Sequence, residues 1–273
     1  MDIAIIGCGT IGGAVAEAVL SGRIDAALKA VVDVEKTPAI ERLIKAEGGR
    51  LQYFNCPEDL LSEPLDLVFE AANPKVVREN ILPLLRSGKD VMLMSVGGLA
   101  DEALFQEAVR LAAEKNRRII IPAGAISGIS TLQAAALAGE LDSVTMQSTK
   151  APAGLRGAPY LEERGLTLEG LRDKELVFAG SVSEAVAAFP RNVNITAAVA
   201  LAGLGVDKTR VEIYADPRAQ RTRHCLTATG SFGEISLSLE SAPNPGNPKS
   251  SYLATLGAVS ALKQYTSPLL MGL

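Results

Sequence analysis

Residues 2–12 read DIAIIGCGTIG, and they decide the fold. Five β-rich, apolar residues run straight into Gly7, Gly9 and Gly12. Residues 14–20 continue with small and apolar side chains at helical spacing. A strand, a glycine-rich turn and a helix in that order open a dinucleotide-binding unit. Gly7 would permit the tight turn, Gly9 the approach of a pyrophosphate to the backbone, and Gly12 the packing of helix on strand. Phosphates would rest on the free N–H groups at the helix N-terminus, so Thr10 and Ile11 join the three glycines as candidate cofactor contacts.

Working outward, residues 27–32 (ALKAVV) form a second apolar strand that ends at Asp33, 21 residues past Gly12. That is the spacing of a ribose-binding acid. The Asp33 carboxylate would accept hydrogen bonds from both ribose hydroxyls and repel a 2′-phosphate, so NAD is the expected cofactor. NADP is the alternative, because Lys36 close by would soften the discrimination. Strand and helix then alternate: a helix over 37–47, a strand over 65–70, and a helix over 74–87 with Pro74 in its first turn. A strand over 91–94, a helix over 101–116 with Asp101 as N-cap, and a strand over 118–121 follow. Continuous apolar strands between helices predict a Rossmann-type, doubly wound parallel sheet. Ala72 and Ser95 follow the third and fourth of these strands, at the sheet edge where ligands bind in open α/β folds. Both are candidate cofactor contacts.

The pattern changes after Pro122. Residues 124–128 are small and flexible, 130–139 are helical, and 143–149 alternate as a half-buried antiparallel strand does. Residues 151–175 read as a loop with a short helix, and 182–189 and 194–204 as helices. Residues 208–215, 222–229 and 234–239 are strand-like. These predict a second, smaller α+β domain containing an antiparallel sheet. A proline-rich connection over 242–248 leads to an amphipathic helix over 252–265. The expected organisation is a dinucleotide-binding domain over 1–122, completed by the C-terminal helix within 246–273, and a second domain over 123–245.

The composition excludes several classes. Of 273 residues, 48% are hydrophobic and 21% charged, enough for a large core without staples. A balance of 27 basic against 31 acidic residues gives −4, which argues against nucleic acid as a partner. Cys8, Cys56 and Cys225 are scattered and odd in number, so neither a zinc site nor a disulfide framework is expected, and a reducing cytoplasm fits. No apolar run approaches the ~18 residues of a membrane span, and the start lacks a basic leader. The single histidine, His224, excludes a multi-histidine metal site. It is the one side chain that titrates near neutral pH unperturbed, which makes it the candidate acid–base catalyst. Its neighbour Arg223 would suit a carboxylate of a dianionic substrate, as would Lys150. Asn192 and Asn194 open an apolar helix, either as its cap or as amide ligands of a nicotinamide or ribose.

With those residues quoted, the chain resembles the L-aspartate dehydrogenase family from end to end. The matching stretches are IIGCGTIG (5–12), MSVGGLAD (94–101), IPAGAISGI (121–129), FPRNVNITAAVALAG (189–203), ADPRAQRTRHCLTATGSFGEI (215–235) and PNPGNPKSSYLATLGAVSAL (243–262). The resemblance implies a homodimer that deaminates L-aspartate oxidatively to oxaloacetate and ammonia with NAD or NADP, through iminoaspartate, which in some members feeds NAD biosynthesis. It implies that His224 is catalytic, that Ala125 contacts the cofactor, and that Asn194 does so too, with Asn192 as the other candidate. Relatives often read Lys-Pro-Pro where this chain has Lys150-Ala151-Pro152, a departure at a candidate substrate residue. Two other readings fit the same outline. One is a related two-domain dehydrogenase acting on another small acid or a sugar, although the lysine-bearing loop of the sugar enzymes has no counterpart in MSVGGL. The other is an NAD(H)-binding sensor without catalysis.

Overall fold

The computed structural model describes residues 1–190 and 193–271, apart from the side chains of Pro248 and Lys249. The chain divides into two compact units, residues 1–124 with 254–273, and residues 125–253.

The first unit alternates as its sequence predicts, with one further strand, Gln52–Phe54, that the sequence reading lacks. Its elements are β1 (Asp2–Ile6), α1 (Thr10–Leu20), β2 (Ala27–Val32), α2 (Pro38–Ala46), β3 (Gln52–Phe54) and β4 (Leu67–Glu70). α3 (Pro74–Arg86), β5 (Asp90–Leu93), α4 (Glu102–Lys115) and β6 (Ile119–Ile120) follow. The six strands lie in the order β3-β2-β1-β4-β5-β6, all parallel. The order reverses direction between β1 and β4, which opens a crevice at the carboxyl ends of those strands. β4 is buried throughout, as is β1 after its first residue, as a sheet covered on both faces requires. Helix starts are fixed by side chains that accept orphan amides: Thr37 caps α2, Asn73 caps α3, and Asp101 caps α4. Most of α9 (Tyr252–Tyr265) belongs to this unit, where Ala258 and Leu262 join the core formed by Ile3, Ile5, Val31 and Phe69. The Tyr265 hydroxyl donates to Asp90, anchoring the end of α9 to the start of β5.

The second unit runs α5 (Ile129–Leu137), β7 (Leu141–Lys150), α6 (Pro159–Glu163), β8 (Glu175–Ser181), α7 (Val182–Ala188) and α8 (Asn194–Ala202). β9 (Arg210–Ala215), β10 (Thr222–Gly230), β11 (Gly233–Ser241), β12 (Pro243–Asn244) and β13 (Asn247–Ser251) complete it. A five-stranded sheet has the order β11-β10-β7-β9-β8. It is mixed rather than wholly antiparallel, because its central pair, β7 and β9, runs parallel. One face carries the core: Val144, Met146, Leu226 and Ala228 pack under Leu132 of α5 and Val199 of α8. β8 lies between the predicted loop and the helix over 182–189, where no element was predicted, β12 and the start of β13 fall on the stretch read as a proline-rich connection, and the C-terminal helix begins at Tyr252.

Candidate active site

In the first unit the strand ends converge on one sheet edge. Gly7 has φ +86°, and a Cβ there would lie 2.7 Å from the Ala72 amide nitrogen. At Gly12 a Cβ would fall 1.9 Å from the Gly7 carbonyl oxygen, so only glycine lets α1 pack against the turn. A Cβ on Gly9 would meet nothing within 4 Å. The two flanking glycines are thus demanded by the protein's own packing, while the middle one faces open space. That is the cradle a pyrophosphate needs, at a helix start with no side-chain cap. The Cys8 thiol beneath is buried, and burial, with the Asp33 carboxylate, pushes it up to about 12, so it stays a neutral filler.

Asp33 follows β2, and its Oδ2 accepts the Cys8 N–H at 2.8 Å, which ties the acid to the glycine turn. The Tyr53 hydroxyl donates to the Asp33 carbonyl at 2.9 Å, and the Lys36 ammonium lies 5.7 Å from the centre of the Tyr53 ring. Ala72 and Ser95, after β4 and β5, are linked by a residue that sequence reasoning passed over. Glu70 is buried, and its two carboxylate oxygens accept the Ala72 N–H at 2.7 Å and the Ser95 N–H at 3.0 Å. Burial raises its pKa, and the hydrogen bonds from Ser95 and Ala72 oppose that shift. One side chain thus clamps both edge loops beside the glycine turn.

In the second unit Ala125 is buried in the stretch before α5, and Asn194 is the first residue of α8, whose N-cap is Val193. Asn192 lies outside the described residues. His224 is inward on β10, 4% exposed, and opposite Ser148 of β7. The Ser148 Oγ is 2.9 Å from His224 Nδ1. The inward face of β7 reads Val144, Met146, Ser148, Lys150, and that of β10 reads Ala228, Leu226, His224, Thr222. An apolar core face therefore turns polar at one end of the sheet. Beyond that end lies a cavity of about 670 Å³ whose lining includes Lys150, Arg156, Arg221, Thr222 and Phe189. Among its described lining residues there are three cations and no carboxylate. Burial pushes the Lys150 ammonium down to about 8. Burial, and then the Lys150 charge, push His224 down to about 3, so its imidazole is neutral over the physiological range.

Arg223 is not brought to this place. Successive strand residues face opposite sides of a sheet, so Arg223 points away from His224. It is exposed and pairs with Glu240, its Nε 2.8 Å from the carboxylate. Arg221, just before β10, lines the cavity instead. Among the described residues there is no group of three or more histidine, cysteine or acidic side chains placed to hold a metal ion, and no helix long and apolar enough to cross a membrane.

A parallel dinucleotide-binding sheet with a glycine cradle in one unit, and a buried histidine with a cationic cavity in the other, define an NAD(P)-dependent oxidoreductase. A family model described as homoserine dehydrogenase, NAD binding domain, matches residues 7–122, and one described as aspartate dehydrogenase, C-terminal, matches 131–265. The chain is 43% identical over 272 residues to an L-aspartate dehydrogenase of Methanosarcina acetivorans, covering 100% of this chain and 99% of the relative. It is 35% identical to one from Nitrosopumilus maritimus, covering 97% and 96%. The chain belongs to the L-aspartate dehydrogenase family. A crystal structure of aspartate dehydrogenase from Thermotoga maritima superposes with a TM-score of 0.74 at 25% identity, covering 100% and 99% of the two chains.

Proposed function

We infer that this protein oxidatively deaminates L-aspartate to oxaloacetate and ammonia, through iminoaspartate. The observation that carries the reading is the full-length likeness to L-aspartate dehydrogenases at up to 43% identity. The acid-free cavity lined by Lys150 and Thr222, at the polar end of the two strands that carry Ser148 and His224, supports it, because aspartate and oxaloacetate each bring two carboxylates.

The residues fit the cofactor. Gly7, Gly9 and Gly12, with the amides of Thr10 and Ile11, would hold the pyrophosphate. Asp33 would accept from the ribose hydroxyls, which favours NAD over NADP by repelling a 2′-phosphate. Ala72 and Ser95 would border the ribose and nicotinamide, and Ala125 and Asn194, or Asn192, are the proposed contacts from the second unit. The bound nicotinamide supplies a hydride acceptor for the α-hydrogen of the substrate. The chain's own work is to hold and deprotonate. Lys150 and Arg221 would bind the two carboxylates, with charge-assisted bonds that fix the α-carbon in place. His224, neutral when free, would take a proton from the substrate ammonium or from the water that adds to the imine. Each carboxylate that arrives beside it offsets the Lys150 charge and raises its proton affinity.

The protein is further inferred to act in the cytoplasm, supported by its three free cysteines, and as a homodimer, supported by its family. The first unit is read as the cofactor domain and the second as the substrate and dimerisation domain. Release of iminoaspartate before hydrolysis would supply NAD biosynthesis. The test of the catalytic reading is His224→Ala, assayed by aspartate-dependent NAD reduction. General base catalysis contributes about 10²–10⁴-fold, so kcat should fall by at least ~10² while NADH affinity stays within twofold. A variant with wild-type turnover would remove His224 from the reaction.

A further inference from the structure

Directly across the ladder from His224 stands Ser148, and its Oγ lies 2.9 Å from Nδ1. Both side chains are buried, 3% and 4% exposed. On that face of β7, Ser148 directly follows the core residues Val144 and Met146. A buried hydroxyl at a core position needs a partner, and the one recorded for it among the described residues is the imidazole.

A neutral imidazole carries one ring proton, on either nitrogen, and the serine hydroxyl can accept from Nδ1–H or donate to a bare Nδ1. Burial, together with the Lys150 ammonium, keeps His224 neutral. The choice of tautomer therefore decides which nitrogen has a lone pair to use. If Nδ1 holds the proton it donates to Ser148 Oγ, and Nε2 is free. If Nε2 holds it, the lone pair faces Ser148 and the ring offers the substrate no base.

We propose that Ser148 is a positioning residue that holds His224 as its Nδ1–H tautomer, so that Nε2 is the proton acceptor in the reaction. The assignment rests on the reading of His224 as the base given above. In the step itself Nε2 gains the proton released by the substrate ammonium or the attacking water. The Nδ1–H bond to Ser148 is retained in the imidazolium, and the Nε2 proton then leaves to solvent. A hydroxyl serves this role without adding a charge, so the ring's orientation is fixed while its neutral state is preserved.

The chain has one histidine, so the tautomer is directly readable. Tag-free protein labelled with ¹⁵N-histidine would be measured by NMR at neutral pH, alone and with NADH. The wild type is expected to show a protonated Nδ1 and an unprotonated Nε2. In Ser148→Ala the ring should move toward the Nε2–H form that imidazole prefers in water, and kcat should fall by about tenfold or more with unchanged NADH affinity. Ser148→Thr keeps the hydroxyl and should restore both signals, whereas the isosteric Ser148→Val should not. In a His224→Ala background, Ser148→Ala should cost no further activity. A wild-type ring protonated at Nε2, or Ser148→Ala at wild-type rate beside an inactive His224→Ala, would overturn the role of Ser148 alone. A fully active His224→Ala would instead overturn the reading of the base on which it rests.

Discussion

Arg223 and His224 are neighbours in the chain and face opposite sides of one strand. Alternation along β10 assigns the histidine to the core face and the arginine to the exposed one, where Glu240 pairs with it. Strand alternation over 222–229 already implies that separation, yet the sequence reading placed Arg223 at the substrate with His224. The part of Ser148 was not legible, because a serine in an alternating segment reads as a surface residue, and only the register of β7 against β10 sets it opposite the ring. Arg221 was equally hidden, since its place at the cavity depends on the turn before β10. The two arginines therefore make opposite predictions. Arg221→Met should raise KM for aspartate by roughly 10–100-fold, the loss of one charge-assisted bond. Arg223→Met should leave KM and Tm close to wild type. Steady-state kinetics of both variants, with equal loss in each as the contrary result, decide between them.

At the level of elements, the strand–turn–helix of residues 2–20 behaves as one piece. The packing demands glycine at positions 7 and 12, and leaves position 9 open. Gly12→Ala should therefore lower Tm sharply or prevent folding, because a methyl would meet the Gly7 carbonyl. Gly9→Ala should melt near wild type yet bind NADH at least about tenfold more weakly, since its methyl occupies the ground a phosphate would approach. Thermal melts beside NADH fluorescence titrations check the pair, and an unaltered NADH affinity in Gly9→Ala would contradict the cradle. Five of the six strands of this unit were legible because they are compact apolar runs between helical stretches, whereas β3 is a three-residue, half-exposed edge strand that shows no such run. β8 was not legible either. It is an edge strand whose burial is confined largely to Phe178, and it passes into α7 with no intervening turn residue. The parallel pairing of β7 and β9 escaped for a different reason, since alternation specifies a face and not a direction.

For the whole molecule, the polar end of the second unit's core has a cost that pH reveals. His224 is held neutral, with a folded pKa of about 3 against 6.5 for the free group. The unfolded chain therefore binds the extra proton first as the solution is acidified. Its contribution favours the fold above pH 6.5 and is lost progressively from there down toward pH 3, by at most about 1.4 kcal/mol per pH unit. His224→Gln lacks that slope, so its stability relative to wild type should improve steadily as pH falls from 7 to 4. Chemical denaturation across that range measures it, and parallel curves would show that burial does not hold the ring neutral. Two units, one with a glycine cradle tied to Asp33, the other with a buried histidine and an acid-free cationic cavity, fit the proposed role of an amino-acid dehydrogenase for a dicarboxylic substrate. The most direct test of that claim is NADH oxidation followed at 340 nm with oxaloacetate, with and without ammonium, and repeated with NADPH. Rapid oxidation that requires ammonium, faster with NADH than with NADPH, is the predicted result. Oxidation independent of ammonium, or none while NADH remains bound, would contradict it.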